Sequence, residues 1–332
     1  MAESSHPITK KLIEEKFIDS GLKPSSAKNY SVALTCVANK LFGNVDVLKG
    51  PTDKWFSKDK FDKIFEHLKK TTVRNYISAV VSWMKVKEET ETKLYKELSV
   101  DRDEYNHYYE RIIKTGEKTE YEKAMWVEPE LFRNAFEDKI MPFLQRMNFD
   151  NARKPIPNYD KFDVDEIKKV RDYVIMSIYM YPFYDKESDF GVIRNDIATL
   201  YLSNGKDMNT EYNYFVMSRN GFYLRMVDYK TQASHGILTI PLPPLLGVIL
   251  KRWCIFSKKN LGDKIFINLD KHHVTEILQR GMKNLVGKAV GVQMLRKIYV
   301  SWRFGKEISD ERKVADSMMH TLSTQQNVYV KR

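Results

Sequence analysis

The sequence predicts a mainly α-helical protein with a small antiparallel sheet, and three observations support this fold class. Apolar residues recur at helical spacing through most of the 332 residues. A few short runs typical of strands surround an Asn-Gly pair, Asn220-Gly221, which suits a tight hairpin turn. No stretch of about 18 consecutive apolar residues occurs, so a membrane-spanning helix is not expected. The length favours two domains.

Two amphipathic helices are predicted in the N-terminal part of the chain. The first covers residues 30–41, begins after Pro24 and Ser25, and ends at Gly43, which suits a helix C-terminus. The second covers residues 71–87, where an apolar stripe predicts one buried face. Its opposite face carries basic and amide side chains suited to a helix that lies along DNA, namely Arg74, Asn75 and Lys85.

Charge varies along the chain in a way that predicts domains and a polyanionic partner. The chain carries a net charge of +11, with +7 in residues 1–87, −4 in residues 88–125 and +8 in residues 126–332. We therefore predict a helical domain over 1–125, with an acidic connector at 88–125 that holds one more helix, and a second domain over 126–332. A basic chain of this size attracts nucleic acid.

The second domain is predicted to be helical, with three strands inserted early. A helix begins at Glu128-Pro129, and an almost wholly apolar helix at 165–182 is expected to lie in the core. The three strands form an antiparallel meander, and three further helices follow them. The strands are predicted at 212–218, 222–229 and 237–242, and the helices at 245–253, 274–286 and 292–302.

Several classes of protein are excluded or disfavoured by particular residue types. Cys36 and Cys254 lie far apart and outside any CxxC motif, so neither a disulfide framework nor a cysteine zinc site is expected. His272 and His273 have no further ligand at suitable spacing and are predicted to be loop histidines, so no metal is expected. The first residues lack the pattern of a secretory signal, and an intracellular, non-secreted protein is predicted.

Five polar residues occupy conspicuous positions in the second domain. Arg194 follows the predicted core helix, Lys230 lies between the second and third strands, and Arg296 interrupts an otherwise apolar helix. His320 precedes Tyr329 by nine positions. This ordered set of Arg, Lys, Arg, His and Tyr resembles the tyrosine recombinase (phage integrase) family. The Lys- and Tyr-rich sequence around them looks more like the viral or mobile-element members of that family. The resemblance covers most of the chain.

The resemblance implies a helical core-binding domain at the N-terminus, a catalytic domain over 126–332, and a chemistry for the five residues. Tyr329 would be the nucleophile that forms a 3′-phosphotyrosyl intermediate, without metal, ATP or another cofactor. Arg194 and Arg296 would bind the phosphate, Lys230 would protonate the leaving 5′-oxygen, and His320 would donate a hydrogen bond. The implied partners are double-stranded DNA and further copies of the chain, as a tetramer on paired sites, in the nucleus or cytoplasm of a host cell.

The chain departs from the family at Gln293, three positions before Arg296, where the family usually has histidine. A glutamine amide can donate a hydrogen bond to a phosphate oxygen but cannot carry a proton. We therefore predict that Gln293 contacts the phosphate and that cleavage is slower than with histidine.

Two alternative functions remain open at this point. A type IB DNA topoisomerase uses the same set of residues, but its viral forms have a strand-rich N-terminal domain, unlike the two helices predicted here. A catalytically idle DNA-binding protein of the same fold is favoured only by Gln293, and the presence of Tyr329 argues against it.

Overall fold

A computed structural model describes residues 7–115, 117–206, 208–230 and 232–317. The chain divides into two compact units, Met1–Glu117 and Lys118–Arg332. This division lies eight residues before the predicted boundary at 125/126. The residues between the two positions pack within the second unit, where Glu122 forms an ion pair with Lys297 and the Lys118 ammonium lies over the Trp126 ring.

The first unit is helical, and both helices predicted there are confirmed. The first of them, Pro24–Phe42, begins with a proline in its first turn and ends at Gly43, whose φ of 77° is the left-handed conformation that favours glycine. The buried aromatic residues Phe17, Phe61 and Trp83 lie in the core of this unit. Its helices are α1 (Lys10–Asp19), α2 (Pro24–Phe42), α3 (Thr52–Trp55), α4 (Lys58–Phe65), α5 (Lys70–Val86) and α6 (Lys93–Thr115).

The acidic stretch predicted as a connector contributes to the core of the first unit. Most of it is the 23-residue helix α6, which packs against α5. Leu98 is only 1% exposed, and Leu94, Tyr95 and Tyr105 pack against the same core. The net charge of residues 88–125 does not reveal this apolar face, because the acidic residues occupy the other positions around the helix.

The second unit is built around a buried helix at the predicted position. This helix, Val164–Tyr184, begins at a capping box formed by Asp163 and Glu166 and buries eleven of its residues. The other predicted helices are also present. The helices of this unit are α7 (Glu120–Met125), α8 (Pro129–Ala135), α9 (Met141–Arg146), α10 (Val164–Tyr184), α11 (Gln232–His235), α12 (Pro244–Phe256), α13 (Lys271–Val286) and α14 (Val292–Ser317).

The sheet has four strands in the order β1 (Leu200–Ser203), β2 (Asn213–Ser218), β3 (Gly221–Met226) and β4 (Leu238–Pro241). The last three form the predicted antiparallel meander, so the predicted class, mainly α with a small sheet, is confirmed. β1 pairs in parallel with β2 and was not predicted, because four residues directly after a 3₁₀ turn show little alternation.

The β2–β3 hairpin differs by one residue from the predicted turn. Ser218 pairs with Gly221, so Arg219 and Asn220 form the two-residue turn and Gly221 opens β3. Gly221 has a φ of 127°, which a side chain would strain. No described helix is long and apolar enough to cross a membrane.

Candidate functional site

The buried helix α10 fixes the backbone at Arg194. Tyr179 of this helix is 0% exposed, and its hydroxyl donates a hydrogen bond to the Arg194 carbonyl oxygen at 3.0 Å. Burial, reinforced by the Asp196 carboxylate, raises the pKa of Tyr179 well above its usual value, so the hydroxyl keeps its proton. Arg194 directly precedes the 3₁₀ turn Asn195–Thr199, and its side chain is half-buried.

Arg296 of α14 is brought close to Arg194 although the two lie far apart in the sequence. Partial burial lowers the pKa of Arg296, and the positive charge of Arg194 lowers it further, whereas Asp196 and Tyr179 act in the opposite direction. Within the described part of the chain, neither guanidinium has a hydrogen bond or an ion pair. The two predicted phosphate-binding arginines are therefore both half-buried and near enough for the charge of one to act on the other.

The carboxylate whose charge acts on Arg296, that of Asp196, forms an ion pair with another cation. Asp196 is only 4% exposed, and its Oδ1 lies 2.6 Å from Nζ of Lys271, at the first residue of α13. The side chain of Asn195 donates to the Lys271 carbonyl oxygen at 2.7 Å, which ties the start of α13 to the 3₁₀ turn. Sequence reasoning missed the role of Lys271, because nothing in the sequence near Lys271 signals that it pairs with a residue 75 positions earlier.

The loop before Arg194 lies directly against α14. A Cβ added at Gly191 would lie 3.4 Å from a ring carbon of Tyr299, so the backbone of the loop and this ring are in close contact. Tyr299 is buried and follows Arg296 by three positions, one helical turn along α14. The contact between Gly191 and Tyr299 thus helps to set the spacing between the two arginines.

Lys230 is exposed, on the connection between β3 and β4. This connection is longer than the simple turn that was predicted, because it contains the helical turn α11 (Gln232–His235). Tyr229 closes the connection by donating its hydroxyl to the Gly236 carbonyl oxygen at 2.6 Å. Lys230 itself has no hydrogen bond or ion pair to any other residue that the structure describes.

Of the three remaining catalytic candidates, the structure describes only Gln293. Gln293 is exposed in the first turn of α14, one turn before Arg296, so both side chains lie on the same side of that helix. His320 and Tyr329 lie outside the described residues.

The predicted DNA-binding residues of α5 have unequal surroundings. The guanidinium of Arg74 lies 4.8 Å from the centre of the Tyr109 ring of α6, so it already has a cation–π partner. Asn75 is half-buried, and Lys85 is exposed.

The two neighbouring histidines were wrongly predicted to lie in a loop. His272 and His273 belong to the first turn of α13, where the side chain of Asp270 accepts hydrogen bonds from both of their backbone amides. His272 Nε2 lies 3.2 Å from Glu276, and His273 Nδ1 lies 3.0 Å from Asp270. Across the described ranges, no group of three or more His, Cys, Asp or Glu side chains could hold a metal ion.

The arrangement around Arg194 and Arg296 is suited to binding an oxyanion. Guanidinium groups remain charged at any working pH and bind two oxygens of a phosphate at once. Two such groups, partly desolvated and mutually repulsive, gain more from a bound anion than solvated side chains would.

No protein-family model, no curated protein and no solved structure matches this chain.

Proposed function

We propose that the chain is a site-specific DNA recombinase that cuts and rejoins double-stranded DNA through a 3′-phosphotyrosyl intermediate. The observation that carries this proposal is the pair of half-buried arginines, Arg194 and Arg296, whose charges act on each other and whose guanidiniums form no hydrogen bond or ion pair with a described residue. The order of the candidate residues along the chain, ending in His320 and Tyr329, supplies the resemblance to tyrosine recombinases.

The proposed reaction conserves the energy of the bond that is cut. The Tyr329 phenol loses its proton to solvent, and its oxygen attacks the phosphorus, so that an O–P bond to tyrosine forms while the P–O5′ bond breaks. Lys230 gives its proton to the departing 5′-oxygen. Negative charge that develops on the non-bridging oxygens is stabilised by Arg194 and Arg296. Attack by the 5′-hydroxyl of a partner strand reverses these steps and joins the new strands.

The same proposal includes partners and a location. The protein acts with DNA inside a host cell, in the nucleus or the cytoplasm, and copies of the chain associate as a tetramer on paired sites. In the first unit, Asn75 and Lys85 of α5 contact the duplex, together with the open side of the Arg74 guanidinium. The basic charge of residues 1–87, +7, favours this assignment.

A covalent-adduct assay tests the proposal directly. The protein is incubated with nicked oligonucleotides that carry candidate element ends, and the products are separated on a denaturing gel. Wild type is expected to give a covalent protein–DNA band. Tyr329→Phe keeps the ring but removes the nucleophilic oxygen, so it is expected to bind the DNA equally well and to give no band.

A second tyrosine provides the matched control. Tyr121 is exposed, on α7, and Tyr121→Phe is expected to give the adduct at the wild-type yield. An adduct of unchanged yield from Tyr329→Phe, or no adduct from wild type on any paired-repeat end, would overturn the proposal. Relaxation of an arbitrary supercoiled plasmid without a paired site would assign the same chemistry to a topoisomerase instead.

A further inference from the structure

Asn213 is a fully buried amide at the first position of β2, and every one of its hydrogen-bonding positions is used. Its Nδ2 donates to Oγ1 of Thr199 at 2.9 Å and to the carbonyl oxygen of Asp228 at 2.8 Å. Its Oδ1 accepts from the backbone amides of Val227 at 2.6 Å and Asp228 at 2.8 Å. An amide side chain offers two donors and accepts two hydrogen bonds at its oxygen, so Asn213 is saturated at 0% exposure.

The partners of Asn213 belong to the two segments that carry candidate catalytic residues. Val227 and Asp228 directly follow β3, and Asp228 lies two residues before Lys230. Thr199 ends the 3₁₀ turn that begins after Arg194. The Thr199 hydroxyl donates in turn to the Asp196 carbonyl oxygen at 2.8 Å.

The hydrogen bonds of this amide therefore form a continuous path between the two segments. The path runs from the turn beside Arg194, through Thr199 and Asn213, to the first residues of the connection that carries Lys230. Without the Asn213 side chain, the backbone N–H groups of Val227 and Asp228 would lose their acceptor. The connection would then no longer be anchored at the end of β3. Further along the same connection, the hydroxyl of Tyr229 closes the loop onto Gly236 and leaves Lys230 exposed.

We propose that Asn213 is the positioning residue that places Lys230 relative to Arg194, and that it thereby controls proton delivery to the leaving 5′-oxygen. This inference rests on the proposed recombinase function. In the step concerned, the P–O5′ bond breaks and the Lys230 ammonium gives one proton to that oxygen. Asn213 touches neither group and acts only through the backbone at 227–228.

A change of leaving atom separates a positioning role from a general loss of structure. When sulfur replaces the bridging 5′-oxygen, the leaving group is a thiolate, which departs without a proton because thiols have a pKa near 8.5. On the oxygen substrate, Asn213→Ala is expected to form the covalent adduct about 10–100-fold more slowly than wild type, at or below the lower limit for a lost general acid, because Lys230 is displaced and not removed. On the sulfur substrate its rate is expected to return to within about threefold of wild type.

Three further variants make the comparison specific. Lys230→Ala is expected to show the same recovery on sulfur, whereas Arg296→Ala remains slow on both substrates because the phosphate still lacks its cation. Asn209→Ala removes another amide, one that accepts only from the backbone of its own loop, and is expected to match wild type on both substrates. If Asn213→Ala stays equally slow on sulfur, or is as fast as wild type on oxygen, the inference is wrong.

Hydrogen exchange provides a readout that needs no activity. In Asn213→Ala, the amides of Val227 and Asp228 are expected to exchange at least about tenfold faster, while the β2–β3 ladder keeps its protection. Unchanged exchange at both amides would overturn the inference even if the protein proved inactive on all DNA. If wild type forms no adduct on either substrate but the variant exchanges faster, the proposed recombinase function is wrong, whereas the anchoring of the connection by Asn213 still holds.

The conservative variant Asn213→Asp covers the case in which Asn213→Ala does not fold. Aspartate keeps the oxygen that accepts from Val227 and Asp228 but loses both donors, so exchange at these amides is expected to stay slow. The rate of adduct formation on the oxygen substrate is then expected to fall less than in Asn213→Ala, and the sulfur substrate is expected to restore it. Exchange at these two amides at least about tenfold faster than in wild type, or a deficit on oxygen that sulfur leaves unchanged, would contradict the positioning role.

Discussion

Two arginines on two amphipathic helices have opposite surroundings. Arg74 of α5 lies over the Tyr109 ring of α6, with 4.8 Å between the guanidinium carbon and the ring centre. Arg296 of α14 has no hydrogen bond or ion pair to any described residue and lies close to the like charge of Arg194. In the sequence, Arg74 lies on the face opposite an apolar stripe and Arg296 interrupts an otherwise apolar helix, but neither pattern shows what the guanidinium contacts.

The comparison teaches how to separate a structural cation from a binding cation. A cation packed on an aromatic face stabilises the fold that holds it, whereas two desolvated like charges destabilise it unless an anion binds. Local arrangements that cost stability are expected at functional sites. The contrast therefore predicts that loss of Arg296 damages activity and that loss of Arg74 damages stability.

The largest expected effect is that of Arg296→Ala. Removing a guanidinium that faces the transferring phosphate is expected to lower the rate of adduct formation by about 10²–10³-fold or more. The free energy of unfolding is expected to change by less than about 1 kcal/mol, because no hydrogen bond or ion pair to a described residue is lost and repulsion with Arg194 is relieved. Single-turnover cleavage of a nicked substrate and urea unfolding measure the two quantities.

Arg296→Lys separates the effect of the positive charge from that of the guanidinium geometry. It keeps the positive charge but cannot form the two parallel hydrogen bonds of a guanidinium, so an intermediate rate is expected. A loss of stability of about 3 kcal/mol or more in Arg296→Ala would instead assign this arginine to the structure, since breaking a buried ion pair has that cost.

The regular parts of the fold could be predicted from the sequence because their signals are local. The stripe of α5, the wholly apolar α10 and the three strands of the meander each depend on residues within one element. One helix was predicted within the acidic stretch 88–125, but the packing of α6 into the core was not, because the net charge of the whole stretch does not show how apolar residues lie around the helix. Strand β1 is too short to show a period.

The candidate site could be predicted only in part. Arg194 and Arg296 were found through the order of residue types along the chain. The contacts that hold them, such as the hydroxyl of Tyr179 on the Arg194 carbonyl oxygen and the Asp196–Lys271 ion pair, join residues 15 and 75 positions apart. Such pairs leave no periodic trace in a single sequence, because each partner alone is an ordinary core tyrosine, a surface lysine or a turn aspartate.

An intermediate effect is expected from Gln293→Ala, which sharpens the comparison within α14 itself. Gln293 is exposed and neutral, one turn before Arg296, so it can supply one hydrogen bond but no charge. We expect adduct formation to slow by about 10–100-fold, less than in Arg296→Ala, on the same nicked substrate. Gln293→His is expected to raise the rate above wild type only if the ring nitrogen reaches the phosphate.

The ranking of the three rates is the measurement that decides the role of Gln293. Wild type should be fastest, Gln293→Ala slower and Arg296→Ala slowest. Equal losses in the two variants would make the glutamine a full partner in charge stabilisation. A silent Gln293→Ala would show that this exposed amide does not reach the phosphate, and the hydrogen-bond role would be withdrawn.

The smallest expected effect concerns Arg74, with Lys85 of the same helix as its matched control. Arg74→Ala removes the cation over Tyr109 and is expected to lower the free energy of unfolding by about 0.5–1 kcal/mol, measured by urea denaturation. Lys85→Ala removes an exposed cation, so stability is expected to change by less than about 0.5 kcal/mol, while the salt dependence of DNA binding becomes shallower by about one unit of slope. A stability loss in Lys85→Ala that equals that of Arg74→Ala would show that the ring contact contributes nothing. A rate of adduct formation in Arg74→Ala as low as in Arg296→Ala would remove the distinction between the structural and the binding arginine.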